Sequence, residues 1–182
     1  MRTLVQQLKV IEDEPLDFSQ IQTILAHRCD NLHVTYTDLE SLKNKYELSD
    51  ILPTKSNGAL ILLTARLSSR VNRHWVTLLR HKNGNLSFYD PLRIGPHVLS
   101  SYMNDGGYFA RYIKKIKADV NTQKHQRNAE MIKTCGLHAS SRLVALATQD
   151  LTNSEYHHWI TSVNMSPDLA VSFLCYIGHL TV

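Results

Sequence analysis

Long apolar runs are missing from this chain of 182 residues. No stretch approaches the roughly 18 apolar residues that a membrane span requires. The opening MRTLVQQLKVIEDEP also lacks the uninterrupted apolar segment of a signal peptide. The expectation is a protein with no membrane partner that is not secreted. Cysteine is scarce: Cys29, Cys135 and Cys175 are an odd number at wide spacing, which fits neither a disulfide framework nor a zinc site of the CxxC kind. Reduced thiols and no metal follow as expectations. Internal repeats, low-complexity tracts and Gly/Ser linkers are absent too, so residues 1–182 are read as one domain. With 43% hydrophobic residues it can bury one substantial core. A formal charge of +4 and a pI near 9.0 favour loose contact with anionic surfaces and decide little else.

What is present reads as mixed α and β. DFSQIQTILAHRC carries Phe18, Ile21, Ile24 and Leu25 at helical spacing behind Asp17 or Ser19 as N-cap, and is taken as the first helix. TDLESLKNKY has Thr37 and Glu40 at capping-box spacing, which predicts a second, short helix. ALILLTARL is apolar on both faces at its start, as a central strand would be. HWVTLLRHKNGNLSFYDP places two alternating runs either side of Asn83-Gly84 and predicts an antiparallel hairpin closed by Asp90. PHVLSSYMN and YFARYIKKIKA read as helices split by Asp105-Gly106-Gly107, and ADVNTQKHQ as a strand candidate. After Cys135 comes a run small and apolar enough for a helix enclosed by protein. NSEYHHWITS predicts a short helix with His157-His158 as a surface pair. SPDLAVSFLCYIGHL predicts a last one with Ser166 as N-cap, Pro167 at N1, Cys175 buried and Gly178 as its stop.

Three elements each present one reactive side chain at an end: His74 near the start of the hairpin, Asp90 closing it, and Cys135 entering a helix. Taken singly, each has an ordinary reading as packing, strand or turn residue. Together they offer a thiol at a helix N-terminus, where unpaired N–H groups favour the thiolate, an imidazole to take its proton, and a carboxylate to orient the imidazole. Gly136 would let a substrate backbone approach, Trp75 would be core or cleft wall, and the Cys135 N–H would donate to an oxyanion. Hairpin parity sharpens the expectation. A two-residue Asn83-Gly84 turn would put His74 and Asp90 on opposite faces, so a shared site requires an odd loop, such as a type I turn with a Gly84 bulge, or a bulge elsewhere in the ribbon.

His74-Trp75, then Asp90-Pro91 sixteen residues after His74, then an amide-bearing loop and Cys135-Gly136 heading a helix, resembles the adenovirus-type (adenain-like) maturation proteases of the ubiquitin-like-protein protease superfamily, clan CE. PLDFSQIQTIL is similar to the first helix of such viral enzymes, so the resemblance spans Pro15 to Thr148. It implies an α+β fold, a papain-like core of permuted order with a central nucleophile helix on a mainly antiparallel sheet. It also implies a thiol endopeptidase with Cys135, His74 and Asp90 catalytic, cleaving viral capsid or core precursors after a small residue such as Gly. The expected setting is the virion and infected cell of a DNA virus or virophage, with the protein a monomer. Deconjugation of a ubiquitin-like modifier is the alternative, and an inactive nucleic-acid-binding or scaffold protein is another. The family's oxyanion glutamine lies six or seven residues before the cysteine, where Asn128 and Ala129 stand here. Gln126 or Asn128 would take its place. No metal or redox cofactor is implied. By resemblance DNA is a candidate cofactor, with Arg111, Lys114, Lys115 and Lys117 as the candidate contact. An activating peptide is another, although the disulfide by which relatives hold theirs has no visible counterpart.

Overall fold

A computed structural model of the chain describes residues 3–26, 32–42, 45–67, 70–128 and 132–180; Cys29 lies outside them. The architecture is α+β. Helices α1 (Leu4–Asp13) and α2 (Phe18–Ala26) lead into strand β1 (Val34–Asp38), a 3₁₀ turn (Leu39–Leu42) and the short helix α3 (Leu48–Ile51). Strands β2 (Gly58–Leu67), β3 (Arg70–Arg80) and β4 (Leu86–Tyr89) follow, then α4 (Pro96–Met103), α5 (Tyr108–Lys115) and β5 (Asp119–Val120). Helices α6 (Cys135–Gln149), α7 (Asn153–Thr161) and α8 (Pro167–Leu180) complete the order. The five strands form one sheet in the order β1-β2-β3-β4-β5. Its centre is antiparallel, while β1 on β2 and β5 on β4 are parallel. No helix among the described residues is long and apolar enough to cross a membrane.

The apolar run of β2 is continuous because both of its faces are covered. Ala59, Ile61 and Leu63 face a core shared with Val76, Leu78, Phe88, Leu99 and Phe109, and thus with α4 and α5. Leu60 and Leu62 face a second core with Trp75, Leu79, Ile21, Ala139 and Leu143, and thus with α2 and α6. The period of two along a strand sorts its side chains between the two layers. Helix α6 is enclosed on its far side as well, where Leu137 and Ala145 join Tyr156, Ile160, Val171 and Cys175 of α7 and α8. Burying each large apolar side chain here contributes about 1.5–3 kcal/mol, which explains why α6 has so little polar surface.

The hairpin loop is odd. Leu78 lies opposite Phe88 and Thr77 opposite Tyr89, the His81 N–H donates to the Asn85 carbonyl at 2.9 Å, and Gly84 takes the left-handed φ of 85°. Lys82, Asn83 and Gly84 therefore make a three-residue loop in which only glycine adopts that φ without strain. Opposed residues share a face, so Asp90 falls on the face of Val76 and of His74 two residues before it.

Several elements differ from the sequence expectations. Helix α1 precedes the expected first helix, opened by a Thr3–Gln6 capping box; α2 is capped by Asp17, which accepts from the Gln20 N–H at 2.8 Å. Thr37 belongs to β1, and Asp38 instead accepts the Glu40 N–H at 3.0 Å, so the predicted second helix shrinks to a 3₁₀ turn. The strand candidate at ADVNTQKHQ is reduced to Asp119 and Val120. Gly178 does not stop α8, which continues to Leu180; one glycine costs a helix interior only about 1 kcal/mol. His157 and His158 are not a plain surface pair: His157 is half-buried, its Nδ1 3.0 Å from His125 Nε2 with the rings stacked, while His158 is exposed.

Candidate active site

Asp90 follows the last residue of β4 and is 1% exposed. The turn after it wraps the carboxylate: Oδ1 accepts the Leu92 N–H at 3.0 Å, and Oδ2 accepts those of Ile94 at 2.6 Å and Gly95 at 3.4 Å. Asn121, directly after β5, grips the Asp90 main chain from the other side. Its Oδ1 accepts the Asp90 N–H and its Nδ2 donates to the Asp90 carbonyl, both at 2.8 Å. A buried carboxylate supplied with this many donors is held as an anion in one orientation.

His74 Nε2 donates to Asp90 Oδ1 at 2.6 Å. That leaves Nδ1 free of Asp90, and the Cys135 thiol is near enough to act on the ring as well. Cys135 is the first residue of α6, and the neighbouring backbone N–H groups of Trp75 and Gly136 favour its thiolate. Burial pushes the thiol up, but the His74 hydrogen bond, its charge and these two N–H donors outweigh burial and hold Cys135 below the usual thiol value. For His74, burial pushes down, and the hydrogen bonds and charges of Asp90 and Cys135 override it to raise the imidazole to about 9. Burial also raises Asp90, and His74 with the Ile94 and Leu92 N–H groups brings it below the ordinary carboxylate range. The three shifts agree in favouring a thiolate, an imidazolium and a carboxylate in series. Such a thiolate is a nucleophile at neutral pH, with an acid beside it to protonate a leaving group.

His74 is thus hydrogen-bonded to Asp90 and within electrostatic reach of Cys135. Trp75 is 6% exposed and packs in the α2–α6 core, its Nε1 donating to the Leu16 carbonyl at 2.9 Å. Gly136 is not open to a cleft, contrary to expectation. A Cβ there would lie 3.0 Å from Leu16 and 3.4 Å from Ile21 and Trp75, so the missing side chain lets α6 seat closely on its neighbours. Gln126 is 5% exposed and its Nε2 donates to the Ile132 carbonyl at 3.2 Å, which ties it to the segment entering Cys135 with one of its two N–H donors. Asn128 is exposed. Arg111, Lys114, Lys115 and Lys117 are all exposed, but Arg111 donates to the Gly106 carbonyl at 2.9 Å and Lys115 pairs with Glu47 at 2.8 Å. Two of the four are therefore engaged with neighbouring groups. Among the described residues no group of three or more His, Cys, Asp or Glu is arranged to hold a metal ion.

Two residues that support this site gave no signal in the sequence. Asn121 sits where a short strand ends, and its partner is 31 positions away. Asp168 lies in the first turn of α8, 0% exposed, and contacts both the Gln126 loop and the entry to α6. No protein-family profile matches the sequence, and no curated protein matches it. Among solved structures the chain is similar to the SUMO protease Ulp1 with the catalytic cysteine oxidized to a sulfinic acid, at 13% identity and a TM-score of 0.44, with 98% of this chain and 83% of that chain covered.

Proposed function

We propose that the chain is a cysteine peptidase of the adenain-like, clan CE kind, with Cys135 as nucleophile, His74 as general base and acid, and Asp90 as the group that orients and charges His74. The observation that carries this reading is His74 bridging the buried Asp90 carboxylate, at 2.6 Å, to the thiol at the head of α6. The Cys135 thiolate attacks a peptide carbonyl. The oxyanion takes hydrogen bonds from the Cys135 N–H and the second Nε2 hydrogen of Gln126, the buried candidate, rather than from exposed Asn128. The imidazolium then protonates the departing amine, and water, deprotonated by His74, hydrolyses the thioester. Each step uses a group whose protonation state the surroundings already favour.

Two substrate classes share this chemistry. The order of His-Trp, Asp-Pro and Cys-Gly resembles the maturation proteases and suggests a capsid or core precursor cut after a small residue. A conjugate of a ubiquitin-like modifier is the other. The test incubates the protein with structural precursors from its own genome and, separately, with a conjugate linked through a modifier ending in Gly-Gly, and maps products by mass spectrometry. Cleavage of one set that disappears in Cys135→Ala supports the reading and chooses the class. Cleavage of neither set, or cleavage that survives Cys135→Ala, refutes it.

A further inference from the structure

Asp168 is far from Cys135 in sequence, belongs to a different helix, and plays no part in the proton transfers above. It is nonetheless fully buried and saturated with donors. Its Oδ1 accepts the Thr134 hydroxyl at 2.5 Å and faces His138 Nε2 at 3.2 Å. Its Oδ2 accepts the Arg127 backbone N–H at 3.0 Å and the Arg127 Nε–H at 3.1 Å. Thr134 and His138 flank Cys135 at the entry and first turn of α6, and Arg127 follows Gln126. One carboxylate therefore ties the start of the nucleophile helix to the loop that carries the buried amide. The other side of that loop is also fixed, because the His125 and Gln126 N–H groups both donate to the Pro91 carbonyl at 2.9 Å, next to Asp90.

The bond to Thr134 has a second effect. A threonine at an N-cap ordinarily turns its oxygen to accept an N–H of the first helical turn. Thr134 makes no such cap bond, and its hydroxyl is committed to Asp168. The N–H groups at the head of α6 are thus not capped by Thr134 and remain for the sulfur or for whatever anion forms beside it.

We infer that Asp168 is a positioning residue for the oxyanion site: it holds the Gln126 loop in register with Cys135 and keeps the Thr134 hydroxyl from capping the N–H groups that would receive the oxyanion. This rests on the peptidase reading, and predicts that loss of Asp168 impairs steps that form a tetrahedral oxyanion while sparing the reactivity of the thiolate itself.

The test compares two reactions at Cys135 in the full chain. Alkylation by iodoacetamide is a displacement with no oxyanion, and acylation by p-nitrophenyl acetate, read as nitrophenolate release, passes through one. Both rates are corrected by subtracting those of Cys135→Ala. In Asp168→Asn, which loosens the loop and frees the Thr134 hydroxyl to cap, the acylation rate should fall at least tenfold while alkylation stays within about twofold; in Thr134→Val, which cuts the tie but leaves no hydroxyl to cap the N–H groups, acylation should fall by a smaller factor. Thr134→Ser, which restores the hydroxyl, should recover acylation. An unchanged ratio of the two rates in both variants, whether because neither falls or because both fall together, overturns the inference. Wild-type alkylation no faster than in Cys135→Ala would instead overturn the peptidase reading itself, so the two failures are distinguishable.

Discussion

Acidification should weaken the fold through one buried ring, His125. This side chain is 3% exposed, stacked between Tyr89 and His157, with Nδ1 3.0 Å from the Tyr89 hydroxyl and Nε2 3.0 Å from His157 Nδ1. A neutral imidazole satisfies both contacts, accepting from the tyrosine and donating to the histidine. Burial first, and then the proximity of His138, His157 and Arg142, push His125 down to about 3, against an opposing pull from Asp168. In the unfolded chain the same ring titrates near 6.5. Between those values the unfolded state binds the proton and the folded state does not, so the contribution is complete above pH 6.5 and is lost as pH falls toward 3. The loss grows by more than about 1 kcal/mol per pH unit and is roughly 2–3 kcal/mol at pH 4.5. Urea unfolding at pH 7.0, 5.5 and 4.5 of wild type and His125→Gln measures it. Contributions of His138, Asp90 and Asp168, which also weaken on acidification, largely cancel in the difference. Wild type should lose roughly 2–3 kcal/mol more than the variant across that range. Parallel stability curves for the two proteins would refute the reasoning.

Asp90→Asn removes the anion that holds the imidazolium, so the Cys135 thiol should titrate higher and turnover of a cleaved peptide should drop by about 10²-fold or more; steady-state kinetics over pH 6 to 9 would show it, and wild-type rates would contradict it. Gly136→Ala places a carbon 3.0 Å from Leu16 Cβ, an atom close to the backbone that cannot swing aside. Overpacking should cost about 1–3 kcal/mol, seen as a lower Tm by circular dichroism, and a higher Tm would show that the helix moves freely there.

The parts of this molecule legible in its sequence are those specified by neighbours. The hairpin follows from alternation either side of Asn83-Gly84, and the requirement that His74 and Asp90 share a face called for an odd loop or a bulge, of which the structure has the three-residue loop that Gly84 makes. The two-sided burial of β2 shows as an unbroken apolar run. Helix α1 had a local signal as well, in the Thr3–Gln6 capping box and the spacing of Leu4, Leu8 and Ile11, which a search for a signal peptide passes over. Strand β1 was hidden because Thr37 suits both a strand and a cap. Illegible features depend on partners distant in the chain. Leu16, Ile21 and Trp75 give Gly136 its packing role, Asn121 is defined by Asp90, His157 is drawn inward by His125, and Asp168 acquires meaning only beside Thr134 and Arg127. No periodicity encodes such contacts, since they arise from how α6, α7 and α8 pack around the sheet.

The central claim is that Cys135 is a nucleophile activated by His74. Its most direct test is the pH dependence of labelling by a glycyl-glycyl vinyl sulfone, with the modified residue identified by mass spectrometry, in wild type, His74→Ala and Cys135→Ala. Wild type should be labelled at Cys135 with a midpoint below the ordinary thiol value of about 9, His74→Ala should shift that midpoint upward and slow labelling at pH 7, and Cys135→Ala should not be labelled. Labelling of Cys135→Ala at the wild-type rate, or an unshifted midpoint in His74→Ala, would contradict the account.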